Sequence, residues 1–125
     1  MSETFILLAM LFCHVVADYN LQGWLANAKQ KEWWKKNAPD EMYARDYIMA
    51  LIMHSIGWAF LVMLPVAWYE SFAIDIWFIV AFVLNVIIHA FVDDYKANEH
   101  KINLVQDQLL HILQIILMFC WLICL

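Results

Sequence analysis

The run FAIDIWFIVAFVLNVIIHAFVDDYK, residues 72–96, decides how this chain is read. From Phe72 to Val92 it is almost continuously apolar and holds neither Gly nor Pro. About 20 such residues, rising about 1.5 Å each, cross a bilayer core as one helix. Near the end of the run stand His89 and Asp93, four residues apart and so on one helical face. Ionisable side chains at membrane depth are costly, and where they persist they point to function.

Working outward, three further runs of the same kind are found. The spans are predicted at about residues 4–21, 47–69, 72–92 and 104–125. The chain is 66% hydrophobic and 15% charged, with two Gly and two Pro. Soluble domains hold roughly 45–50% apolar and about 25% charged residues. The expected fold is therefore an all-α membrane protein: one domain over 1–125, four transmembrane helices in an antiparallel bundle. Only Glu70 and Ser71 separate the second and third spans, which predicts a tight helical hairpin. Pro65 predicts a kink near the end of the second span. The first run has no preceding Lys or Arg and no small-residue cleavage pattern, so it reads as a span and not as a secretory signal.

The longest connection, 20–46, interleaves Trp24, Leu25, Ala28, Trp33 and Trp34 with Lys29, Lys31, Lys35 and Lys36. Aromatic rings beside basic groups suit the headgroup layer. An interfacial amphipathic helix is predicted over 23–37, ending near Pro39, with Asp40 capping a further turn. All seven basic residues lie in two connections, 29–45 and 96–101. By the positive-inside rule both face the cytoplasm. The protein is then a multi-pass protein of the inner (plasma) membrane with both termini outside the cytoplasm. A net charge of −5 argues against a nucleic-acid partner. The bilayer is the expected partner; an oligomer stays open. Cys13, Cys120 and Cys124 lack CxxC spacing and read as small apolar residues.

Every span carries one His. Three carry an Asp four residues away: His14/Asp18, His89/Asp93 and Asp107/His111; His54 stands alone. With the topology above, all seven fall within about 10 Å of the cytoplasmic boundary. A single His of this kind is more often a structural hydrogen-bonder. Agreement among four helices carries more weight. Three carboxylates at one depth need neutralising, by protonation, an imidazolium or a metal. Four imidazoles with three carboxylates suit one or two divalent ions, Zn²⁺ first, with Mn²⁺, Fe²⁺ and Ni²⁺ as alternatives. Gln22, Asn85 and Gln114 continue the same faces and are expected to orient the ligands.

The segments His14-Val-Val-Ala-Asp18-Tyr-Asn-Leu-Gln22, His89-Ala-Phe-Val-Asp93-Asp-Tyr-Lys96 and Asp107-Gln108-Leu-Leu-His111 also resemble the signatures of a family of small bacterial and phage membrane proteins of unknown function. The likeness spans nearly the whole chain and implies a four-helix membrane protein. The chain is more distantly similar to membrane-bound metal-dependent hydrolases. The functional expectation is a metal-dependent hydrolase acting on a lipid or lipid phosphate. Asp93 and Asp18 are its candidate general bases, and Lys96 its candidate phosphate contact. The alternatives are an ion, metal or proton transporter or channel element, and a buried polar network that only fixes packing. Bis-His haem ligation fits less well, because the Asp partners favour a hard-ligand ion.

Overall fold

The structure is a computed structural model that describes residues 2–125. Helix α1 spans Glu3–Val15 and widens into a π-helical turn at Val16–Leu21. Two short helices follow, α2 at Leu25–Ala28 and α3 at Lys31–Asn37. The long helices α4 and α5 cover Asp46–Tyr69 and Ile76–Ala97. Helix α6 covers Leu104–Phe119 and ends in a π-helical turn at Cys120–Cys124. Four helical stretches are long and apolar enough to cross a membrane: Glu3–Leu21, Glu41–Tyr69, Ile76–Ala97 and Leu104–Cys124. No strand occurs among the described residues. The all-α, four-span expectation holds.

Around the bundle the order is α1, α4, α5, α6 and back to α1, so every packed neighbour runs antiparallel. The outer surface carries Phe12, Phe60, Phe91, Leu109 and Leu117, all exposed. An apolar exterior of that extent suits hydrocarbon and not water. The bundle interior has two storeys. One is apolar, built on Ile6, Met10, Val62, Met63, Val66, Ala81, Ile115 and Met118. The other lies toward the basic connections and contains the buried polar residues.

The structure refines several local readings. The α4–α5 connection covers 70–75, not two residues, because the chain turns through positive φ at Ser71 (52°) and Phe72 (59°). The Asp75 side chain then accepts the Phe78 amide at 2.8 Å, and this cap starts α5 at Ile76. The surface segment is two helices and not one. Its break lies at Lys29–Gln30, where Asn98 from the end of α5 holds both Lys29 O (2.9 Å) and the Lys31 amide (2.7 Å). Gly23, at φ +51°, makes the turn that leads into it. Cys120 and Cys124 lie on the exposed surface; Cys13 alone is partly packed. Asp40 precedes a short 3₁₀ turn at Glu41–Tyr43 but its side chain makes no capping bond. Pro65 lies inside α4, which continues to Tyr69.

Candidate metal centre

The seven predicted His and Asp residues meet in the polar storey. All are buried, and Asp18, the most accessible, keeps only 8% of its surface. Asp18 stands on the π-helical turn that ends the first span, a distortion frequent at functional sites. His54 comes from α4, His89 and Asp93 from α5, Asp107 and His111 from α6.

Four ligand-type atoms face one another. His54 Nε2 lies 3.2 Å from His89 Nε2, 3.2 Å from Asp18 Oδ1 and 3.4 Å from Asp93 Oδ2. His89 Nε2 lies 3.6 Å from Asp18 Oδ1 and 3.7 Å from Asp93 Oδ2. An ion with metal–ligand distances of about 2.0–2.2 Å in tetrahedral geometry sets its ligand atoms about 3.3–3.6 Å apart. Two imidazole nitrogens at 3.2 Å also need something between them, a shared proton or a cation, because two lone pairs or two N–H groups repel.

A second set adjoins the first. His111 Nε2 lies 3.2 Å from Asp93 Oδ1 and 3.4 Å from Asp107 Oδ1. Asp93 thus presents one oxygen to each set. The groups His54/His89/Asp93, Asp18/His89/His111 and Asp93/Asp107/His111 are each close enough to hold an ion.

His14 differs from the other six. Its Nδ1 accepts the Trp58 indole N–H at 2.9 Å, so its Nε2 carries the proton and donates to Gln108 Oε1 at 2.9 Å. Both nitrogens are thereby occupied. His14 belongs to the site as a hydrogen-bonding residue and is not free to ligate. Asn85 and Gln114 also depart from expectation. Gln114 donates to Asn85 at 2.7 Å, and Asn85 donates to Ala81 O and Met118 Sδ. One turn before His89 on α5 and one turn after His111 on α6, they pair with each other beside the cluster. Gln22 does reach it, through Lys29 at 3.0 Å. Lys96 is committed to Asp107 at 2.8 Å, which takes the cation proposed for phosphate into an ion pair.

Three residues of the site carried no signal strong enough to single them out. Lys29, only 6% exposed, reaches in from the surface segment and donates to Asp93 Oδ2 at 2.7 Å. Gln108 donates to Asp107 Oδ2 at 2.8 Å and Asp18 Oδ2 at 3.3 Å. Trp58 stacks on His89 at 4.1 Å and 19°, and His89 stacks on His111 at 4.1 Å and 27°. His89 Nδ1 and His111 Nδ1 are buried without a hydrogen-bond partner. Ring stacking on Trp58 and on each other, and not a hydrogen bond at Nδ1, packs these two imidazoles.

The chain matches the family described as Protein of unknown function (DUF3307) over residues 6–125, and it belongs to that family. No curated protein matches it. No solved structure matches it either. The four apolar spans mark it as a multi-pass membrane protein, with buried His/Asp groups able to hold a metal ion.

Proposed function

We propose that this protein is a membrane-embedded metal protein whose ion is held by Asp18, His54, His89 and Asp93. Asp93 bridges to a second set formed with Asp107 and His111. The observation that carries this reading is the set of five contacts of 3.2–3.7 Å among four ligand-type atoms. Zn²⁺ suits the small His₂Asp₂ set best; Mn²⁺, Fe²⁺ and Ni²⁺ are the alternatives.

The chemistry such a centre serves best is metal-assisted hydrolysis of a lipid or lipid phosphate from the cytoplasmic leaflet. An ion there would polarise a carbonyl or phosphoryl oxygen and lower the pKa of a bound water. Of the two candidate bases, Asp18 is favoured. Asp93 has both oxygens engaged, by His111 on one side and by Lys29 and His54 on the other. Asp18 Oδ2 is held only by Gln108, at 3.3 Å. Because the centre is buried beneath Lys29, substrate would enter when the α2–α3 segment lifts. A transport role gains less support, since beyond the Asn85–Gln114 pair the other storey is apolar.

One observation favours a purely structural network. Lys29 and Lys96 pair with Asp93 and Asp107, leaving Asp18 as the one carboxylate without an ammonium partner. A single imidazolium would then balance the charge with no ion. Elemental analysis of protein purified in detergent without chelator separates the two. Stoichiometric divalent metal is expected. An ion at a hundredfold excess over its Kd should also stabilise the fold by about 2.7 kcal/mol. If no metal is found, and Zn²⁺, Mn²⁺, Fe²⁺ and Ni²⁺ all leave the unfolding midpoint unmoved, the network reading stands.

The orientation proposed is an inner-membrane one with both termini outside the cytoplasm, supported by the clustering of all seven basic residues in two connections. A reporter active only in the periplasm should work when fused after Leu125. Activity of a cytoplasmic reporter at that point would invert the topology and move the centre to the opposite leaflet.

A further inference from the structure

Away from the polar storey, a cavity of about 320 Å³ opens where the surface segment meets the start of α4. Lys31, Lys35 and Arg45 line it, together with Trp34, Tyr47 and Ile48. Arg45 is exposed and makes no ion pair among the described residues. The Lys31 ammonium lies 4.9 Å above the Tyr47 ring, with Glu99 at 3.8 Å. Lys35 meets the exposed Glu32 at 2.8 Å and thereby holds that carboxyl below its ordinary range. Asp40, also on the wall, pairs with none of the three. The cavity wall thus carries three cations and one carboxylate; Glu99 and Glu32 pair with the two lysines, and Arg45 is the cation left unengaged.

A second cavity, about 470 Å³, shares Tyr47 and Ile48 with the first. It continues down the seam between α4 and α5 along Leu51, Ile52, Ile87 and Phe91. Asp94 stands at its upper edge, where it accepts a hydrogen bond from Asn98 at 2.7 Å. The rest of that groove is apolar and lies on a face of the bundle turned outward. A cation-lined pocket at the end of a span, sharing two wall residues with an apolar furrow into the bilayer, has the polarity profile of one molecule: a charged headgroup with an acyl chain. Trp24, Trp33 and Trp34 pack edge-to-face within 5.1–6.1 Å of one another on the same segment, as suits the interfacial layer.

We propose that the two adjoining cavities form a binding site for one anionic glycerophospholipid, its phosphate against Arg45 and Lys31 and an acyl chain along the α4–α5 groove. The site is separate from the His/Asp cluster and stands whether or not that cluster holds an ion. Recognition is by charge at the headgroup and by apolar contact along the chain. A zwitterionic lipid meets the same groove with less electrostatic attraction, and free phosphate meets the cations without the groove.

Native mass spectrometry of the full chain in detergent, titrated with phosphatidylglycerol or phosphatidylcholine, tests this. One phosphatidylglycerol per chain should be retained in preference to phosphatidylcholine. Arg45→Gln should weaken retention about fivefold, and adding Lys31→Gln about thirtyfold, taking each surface cation as a similar factor. Ile87→Trp, which narrows the groove at an outward-facing position, should weaken it too. Millimolar inorganic phosphate should not displace the lipid. Unchanged unfolding midpoints for Arg45→Gln and Ile87→Trp would show that binding and not folding was altered. Equal retention of the two lipids, full retention by the double variant, or displacement by phosphate alone would each overturn the proposal.

Discussion

Asp93→Asn is expected to strip the protein of bound divalent ion and to destabilise it by about 3–5 kcal/mol, the usual cost of breaking a buried charge pair. Its two oxygens serve both sets of ligand-type atoms. Its Oδ2 accepts Lys29 at 2.7 Å and faces His54 at 3.4 Å and His89 at 3.7 Å, while Oδ1 faces His111 at 3.2 Å. Asparagine keeps the size but leaves the Lys29 ammonium buried without its anion. Losing only a residue that orients a ligand typically costs about 10–100-fold in metal affinity; losing the bridging ligand should cost more. The controls lie close by. Asp94→Asn, next in sequence but turned to Asn98 outside the cluster, should keep its metal. The pair Lys29→Met with Asp93→Leu removes both charges together, so stability should largely return while metal binding does not. Unfolding midpoints in detergent and elemental analysis read the two effects separately. Full metal content in Asp93→Asn would remove Asp93 from the site.

The spans and the His/Asp constellation were legible because both depend on short-range rules: the length of an apolar run, and the four-residue repeat that stacks side chains on a helix. The antiparallel ring then brings the stripes to one depth. What escaped depends on partners far away in sequence. His14 looks like a ligand until Trp58, 44 residues on, is found donating to its Nδ1. Lys29 looks like one of four headgroup lysines. It turns inward because Gly23 redirects the chain and Asn98, 69 residues further on, fixes the break beside it. Gln108 sits beside Asp107 in sequence, and only the proximity of α1 and α6 shows that it links His14, Asp18 and Asp107. The start of the third span was misjudged for a related reason. Phe72 and Ile74 are apolar enough to extend it, but the Asp75 cap starts the helix only after them.

Lys29→Met should destabilise the protein by about 3–5 kcal/mol in the absence of added metal, for the mirror-image reason: the Asp93 carboxylate loses its ammonium partner in a buried place. The two proposed roles of the cluster diverge at this variant. If the cluster is a metal centre, an ion can take over the neutralisation that Lys29 provided. The lone pairs of Asp93 Oδ2 are then less contested, so the variant should bind the ion more tightly than wild type. Because an ion that binds only the folded state stabilises by mass action, the rise in unfolding midpoint on adding Zn²⁺ should be larger for Lys29→Met than for wild type. If the cluster is only a charge network, no ion substitutes and the variant stays destabilised at every metal concentration. The same variant also tests access. Lys29 ties the α2–α3 segment to the centre through Asp93 and Gln22. Without that tie, amide exchange across residues 25–37 should quicken relative to α5, while the Asn98 bonds to Lys29 O and the Lys31 amide still hold one end. Lys96→Met, which leaves the surface segment untouched, should show no such local change. An exchange rate at 25–37 that is the same in Lys29→Met, Lys96→Met and wild type would mean that Lys29 does not hold the segment closed over the centre.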